Sequence, residues 1–230
     1  RASLFNPAAG AVAQVGTAGI PRSGFLPDRN NFGPRFGFAW TPKGGGTVIR
    51  GGYGMYFDQS ALAPGEGLFF NPPYYNLKFY IPSAQQIIFL HDPFPTSAAA
   101  PAGTSLFTYQ RDLRSPYVQH WNLNIQRQLG RSRMFEIGYV GSKGTKLYSG
   151  RDINQPEPRP GSFNLRPLPF YGDITQMESR GLSNYHSLQM RFQQTFQRGL
   201  SAIASYTYGK SIDDASGFFS SAGDPNFPQD

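Results

Sequence analysis

Six stretches of this chain alternate apolar and polar residues with a period of two, and they fall in adjacent pairs joined by short turns. A two-residue period gives a strand one apolar face and one polar face. The first pair is GPRFGFAWT (33–41) and TVIRGGYGMYF (47–57), joined through PKGGG. The second is PYVQHWNLNIQRQL (116–129) and RMFEIGYVG (133–141, continuing to about 147), joined through Gly130-Arg131-Ser132. The third is YHSLQMRFQQTF (185–196) and LSAIASYTYGK (200–210), joined through Gln197-Arg198-Gly199.

The phases sort the side chains. In the first pair, Phe36, Phe38 and Trp40 oppose Arg35, Gly37 and Ala39, and Ile49, Tyr53, Met55 and Phe57 oppose Arg50, Gly52 and Gly54. In the second, Tyr117, Trp121, Leu123, Ile125 and Leu129 oppose His120, Asn122, Asn124, Gln126 and Gln128. Its partner sets Phe135, Ile137 and Tyr139 against Glu136 and Gly138. In the third, Leu188, Met190, Phe192 and Phe196 oppose Ser187, Gln189, Arg191, Gln193 and Thr195, and Ala202, Ala204, Tyr206 and Tyr208 oppose Ser201, Ser205, Thr207 and Gly209. Matching like faces predicts the registers: Trp40 opposite Ile49, Ile125 opposite Ile137, Gln126 opposite Glu136, Phe192 opposite Ala204 and Arg191 opposite Ser205.

The connections are asymmetric. Turns within pairs are short, whereas 58–115 and 148–184 between pairs are long, so all short turns fall at one end of the strands. A soluble meander has no reason to sort its loops. Bacterial outer-membrane barrels do sort them, with short periplasmic turns and long extracellular loops, and their strands cross in about 9–11 residues. The expected fold class is therefore all-β. It is an antiparallel transmembrane barrel segment of about six strands near 33–41, 47–57, 116–129, 133–147, 185–196 and 200–210. Residues 1–32, 58–115, 148–184 and 211–230 are the expected extracellular loops, with Asp173 to Ser183 extending strand 185–196 above the membrane. The expected lipid-facing set includes Phe36, Phe38, Trp40, Tyr53, Trp121, Ile137, Tyr139, Phe192 and Tyr206. Arg35, Arg50, Glu136 and Arg191 are expected to face the lumen. Arg127 falls on the apolar side, but two residues from a turn, where its long stem can snorkel to the interface.

Composition excludes other classes. Glycine (27) and proline (20) make up about a fifth of the chain, and apolar residues are 39%, while aromatics reach 15%, equal to all charged residues. Disorder goes with few aromatics. Helical bundles are rich in Ala, Glu, Lys and Leu, and collagen needs a glycine every third residue. The absence of cysteine excludes a disulfide scaffold. No run of about 18 apolar residues is present for a membrane helix. The net charge is +7, but its 21 lysines and arginines are scattered rather than gathered into the basic stripe of a nucleic-acid binder.

The segments NNFGPRFGFAWTPKGGGTVIRGGYGMYFD (30–58), SPYVQHWNLNIQRQL (115–129), FEIGYVGSKGTKL (135–147) and YHSLQMRFQQTFQRGLSAIASYTYGKSIDDAS (185–216) carry a family pattern. They resemble the barrel of TonB-dependent outer-membrane receptors of the Oar-like type, large proteins with a regulatory-like N-terminal domain, a plug and a barrel of about 22 strands. The resemblance implies the bacterial outer membrane and energised uptake of an unidentified ligand. It implies as partners the membrane lipid, the plug and remaining barrel strands, and the TonB complex engaged through an N-terminal part. No TonB box, plug or regulatory-like domain is recognisable here, and both ends read as cut. The chain is thus expected to be a fragment that transports nothing by itself. Two other functions compete: a non-transporting structural or adhesion protein of the outer membrane, and a soluble β-rich carbohydrate-binding module.

Catalytic chemistry has no footing in the sequence. His91, His120 and His186 lack metal-ligand spacing. Gly141-Ser142-Lys143-Gly144 is not GxxxxGK[ST] and sits in strand pattern. No GxSxG marks a nucleophile elbow. Asp213-Asp214 lacks the alternating ligands of a calcium loop. The expectation is no enzyme, no cofactor, no metal and no nucleic-acid partner. Tyr74, Tyr75, Phe79 and Tyr80 suggest either a sugar- or peptide-contacting surface or simple loop packing, and no ligand-binding residue is assigned.

Overall fold

The computed structural model of the chain describes residues 2–17, 19–58, 67–75, 91, 103–156, 166–196 and 199–214. Its strands are β1 (Ser3–Asn6), β2 (Ala11–Gln14), β3 (Arg35–Trp40), β4 (Thr47–Phe57), β5 (Thr104–Tyr109), β6 (Tyr117–Leu129), β7 (Arg133–Asp152), β8 (Tyr171–Thr195) and β9 (Ser201–Asp213), with a 3₁₀ turn at Leu68–Phe70. One continuous antiparallel sheet runs β3-β4-β6-β7-β8-β9, each strand hydrogen-bonded to its successor. The fold is all-β, as the alternation requires.

The registers follow the facial matching. Trp40 opposes Ile49 and Ala39 opposes Arg50. Gln126 opposes Glu136 and Ile125 opposes Ile137. Phe192 opposes Ala204 and Arg191 opposes Ser205. At the first turn Gly44, Gly45 and Gly46 take φ of +107°, +68° and +73°, conformations that L side chains rarely adopt. At the third, the Phe196 N–H donates to the Leu200 carbonyl at 2.7 Å. Gln197 and Arg198 of that turn lie outside the described residues.

The loop boundaries need correction. Segments 1–32 and 58–115, expected as loops, contain β1, β2 and β5, and the expected loop 148–184 holds the end of β7 and the start of β8. The extension of strand 185–196 through 173–183 is present and reaches back to Tyr171. Between the two halves of the β7–β8 ladder, β7 skips Lys146 and β8 skips Arg180. Lys146 sits at φ +57°. A left-handed residue with a Cβ costs roughly 1–2 kcal/mol. Lys146→Gly is therefore expected to raise the urea midpoint of unfolding, by an amount equivalent to about 1 kcal/mol.

The packed core lies at the outer ends of β7 and β8, in a cap built from the long connections. There β5 runs parallel to β8, pairing Leu106 with Ile174 and Tyr109 with Met177. β9 pairs with Ser183–Thr195 of the same edge, so β5 continues where β9 stops. Residues 106 and 109 point to opposite faces, and both faces are covered. Leu4, Leu68, Tyr109, Leu113 and Met177 form one cluster, and Phe5, Leu106 and Ile174 the other. Leu4 and Phe5 are consecutive in β1, so this short strand contributes to both. Parallel pairing of this kind belongs in buried sheet.

Buried amides tie the cap together. Asn71 is fully buried; its Nδ2 donates to the carbonyls of Ser3 (2.9 Å) and Phe107 (3.0 Å), and its Oδ1 accepts from the Phe107 N–H (2.8 Å). Asn154, equally buried, joins the β7 end to the carbonyl of Gly172 (2.8 Å) and the N–H of Leu168 (2.8 Å). Arg166 bridges Asp152 (3.3 Å) and Asp173 (2.6 Å), and Arg151 grips Glu178 at 2.7 Å.

Asp28 anchors the chain entering β3. The Ser115 backbone N–H (2.9 Å), and after it Arg114 (3.3 Å), hold its carboxyl below the ordinary carboxylate range, against an opposing effect of burial. A depressed folded-state pKa means stability that is present above the unfolded value of about 3.9 and lost as pH falls through the folded one. Cap proteolysis should therefore rise on going from about pH 5 to about pH 3, and Asp28→Asn should flatten that rise.

Candidate functional site

The register makes each face of the six-stranded sheet a set of rows. One apolar row reads Trp40, Ile49, Ile125, Ile137, Met190 and Tyr206 across the six strands. The next toward the cap reads Phe38, Gly51, Leu123, Tyr139, Leu188 and Tyr208. Beyond it lie Phe36, Tyr53, Trp121, Gly141 and His186. In the row on the turn side, Phe135 and Phe192 are opposed. All nine residues of the expected apolar set thus share one face. Phe36, Trp40 and Tyr206 are 66%, 59% and 61% exposed, so nothing among the described residues covers this face.

The apolar rows end in an aromatic band. Phe36 and Tyr53 stack at 5.6 Å, and His186 lies 6.0 Å from the Trp121 ring. The Tyr139 hydroxyl and His186 Nδ1 share a hydrogen bond of 2.7 Å. His186 therefore belongs to an aromatic cluster, and among the described residues no group of acidic, His or Cys side chains could hold a metal ion.

Arg35, Arg50, Glu136 and Arg191 all lie on the opposite, polar face. Glu136 and Arg191 are direct cross-strand partners, yet among the described residues neither forms an ion pair. Arg50 Nη1 donates to Gln126 Oε1 at 3.1 Å. Arg35 pairs in register with Gly54 and Arg50 with Ala39, four residues apart along the hairpin. At about 3.4 Å per residue that is roughly 14 Å, so the two arginines do not form one cluster.

What the fold does assemble is a recess of about 390 Å³ around Arg35, Tyr56, His120 and Asn122. The Arg35 guanidinium carbon lies 4.3 Å from the Tyr56 ring centroid, and His120 meets that ring edge-on at 5.6 Å. Gly37 and Gly52 oppose each other and leave the floor bare. The Tyr56 ring folds back over Gly54, where a Cβ would sit 2.7 Å from it. His120 was legible as a polar-face residue, but Tyr56 stood at a strand end with no assigned role. The signal available was the neighbouring glycine, two residues earlier on the same face. Of the aromatic loop residues, Tyr74 and Tyr75 are partly exposed, and the Tyr75 ring lies 5.2 Å from that of Phe70. Phe79 and Tyr80 lie outside the described residues.

A family model described as an outer membrane beta barrel domain matches residues 1–230. No curated protein matches the chain. The crystal structure of the outer membrane transporter YddB from Escherichia coli superposes with a TM-score of 0.47 at 17% identity, over 75% of this chain and 19% of YddB. That of the siderophore receptor PirA from Pseudomonas aeruginosa gives 0.45 at 15% identity, over 80% of this chain and 29% of PirA. The chain therefore spans less than a third of either protein.

Proposed function

The chain belongs to the outer-membrane β-barrel domain family, and from that premise we propose that it is a wall segment of a TonB-dependent receptor of the Oar-like type, serving energised uptake of an external ligand. Its place is the bacterial outer membrane.

The observation that carries the reading is the two-faced sheet. On β8 the apolar Leu188, Met190 and Phe192, with His186 of the aromatic band outside them, lie between the polar residues Gln194 and Asn184, ten residues apart on one face. Ten residues rise about 34 Å along the strand, or about 26 Å vertically at a tilt of about 40°, close to the roughly 25 Å apolar band of outer-membrane barrels. We therefore assign the apolar face to lipid and the polar face, with Arg35, Arg50, Glu136 and Arg191, to the lumen. The cap then lies outside the cell and the short turns in the periplasm. Among the described residues β3 and β9 are each paired on one edge only, and since unpaired backbone is not tolerated in lipid their other edges call for further strands. The lumen would be filled by a plug that answers to the TonB complex. We assign the segment no catalytic step, cofactor, metal or nucleic-acid partner.

The test is energetic. Uptake conferred by the intact protein should vanish when an ionophore dissipates the proton-motive force across the inner membrane. Uptake that survives the ionophore, or ligand binding that never leads to entry, would overturn the transport reading.

A further inference from the structure

We propose that the recess between Arg35, Tyr56, His120 and Asn122 holds a sugar-sized ring bearing a carboxylate, of the hexuronate kind. This deepens the transport reading and rests on its assignment of the polar face to the lumen.

Each wall of the recess supplies one requirement of such a ligand. Arg35 lies over the Tyr56 ring at 4.3 Å. A guanidinium parked on an aromatic face keeps its in-plane N–H groups available, and their fork matches a planar carboxylate. Among the described residues no side chain or carbonyl accepts from Arg35. The Tyr56 ring, held between Arg35 and Gly54, and the His120 ring set edge-on to it at 5.6 Å supply the aromatic wall through their edges. The floor, Gly37 opposite Gly52, lets a flat ring approach the backbone. Asn122 stands beside Gly52, where a Cβ would lie 3.4 Å from the Asn122 Nδ2. Asn122 Oδ1 already accepts from Asn124 at 3.3 Å, which leaves its Nδ2 hydrogens for a ligand hydroxyl oxygen.

Size and charge agree. The 390 Å³ of the recess falls within the roughly 300–1,000 Å³ of small-molecule sites. Within the span, the polar face carries Arg35, Arg50 and Arg191 against Glu136, with Asp213 at its outer end beside Ser183. That excess of positive charge draws anions to the wall. A bare anion such as phosphate would use Arg35 but not the ring wall or the empty floor. The combination of stacked guanidinium, ring and amide therefore points to an acidic sugar.

The experiment is calorimetric titration of the intact protein in detergent with sodium glucuronate, glucose and inorganic phosphate. Glucuronate is expected to bind at least tenfold more tightly than either of the others. Arg35→Gln should weaken glucuronate at least tenfold and bring it level with glucose. Gly54→Ala, which forces the Tyr56 ring off its seat, should weaken glucuronate without preventing assembly. Glucuronate affinity unchanged in Arg35→Gln, phosphate binding as tight as glucuronate, or no glucuronate binding by assembled protein would each overturn the proposal. Failure of the lumen assignment would show separately, as a loss of the contrast between arginine at Met190 and at Gln189, which needs no ligand.

Discussion

Arginine in place of Met190 should stop the protein assembling in the outer membrane, while arginine in place of Gln189 should leave assembly intact. The two positions are adjacent on β8 and differ only in face. Met190 opposes Ile137 on one side and Tyr206 on the other, in the middle of the apolar rows, whereas Phe192 shares its row with Arg127 near the turns. Gln189 opposes Gly138 and Thr207 on the polar face. An arginine near the midplane of a barrel's lipid face costs about 2–4 kcal/mol, whereas one in a polar lumen is hydrated. Assembly is read from protease resistance in whole cells and from the mobility difference between heated and unheated samples. Equal damage at both positions would mean that the facial phase is wrong.

Truncating Phe5 to alanine should open the cap and leave the strands beneath it untouched. Phe5 is fully buried and meets the Tyr171 ring edge-on at 5.5 Å. Its carbonyl accepts from the Thr108 hydroxyl. Phenylalanine-to-alanine changes in packed cores cost about 3–5 kcal/mol. Its cluster holds Leu106 and Ile174 on one face of the β5–β8 pair, so that face loses its largest buried side chain while Tyr109 and Met177 stay packed on the other. Amide exchange in Leu106–Tyr109 and Ile174–Met177 should quicken by roughly two to three orders of magnitude, since each 1.4 kcal/mol is about tenfold. Exchange in β6, which makes no ladder with the cap, should not change. Uniform acceleration across the sheet would mean that cap and membrane strands unfold as one unit.

The two predictions address parts of the molecule that differ in legibility. Trp40 with Ile49, Ile125 with Ile137 and Phe192 with Ala204 could be aligned from sequence because every strand that contributes them is polar on its other side. Period two and short turns then leave one register for each pair. β5 had no such signal. In TSLFTY, Leu106 and Tyr109 point opposite ways and both are buried, so alternation is absent. Its partner on β8 is more than sixty residues away and parallel, with no turn to announce the pairing. β1, four residues long and buried on both sides, was hidden for the same reason.

The candidate site divides along the same line. That Arg35, Arg50, Glu136 and Arg191 share a face follows from their positions in alternating strands. That Glu136 meets Arg191 while Arg35 and Arg50 stand apart depends on registers between strands. The recess depends further on how Tyr56 lies over Gly54 and under Arg35.

By itself, then, the sequence determined the six strands that fall in hairpins, their two faces, their hairpin registers and the membrane they suit. These are properties of neighbouring residues repeating at a fixed interval. Only the tertiary structure decided that the long connections fold into a cap, that β5 seals the outer edge of β8, and which polar side chains meet across strands. Those outcomes rest on contacts between distant segments, where burial on both faces erases the periodic signal that exposure on one face creates.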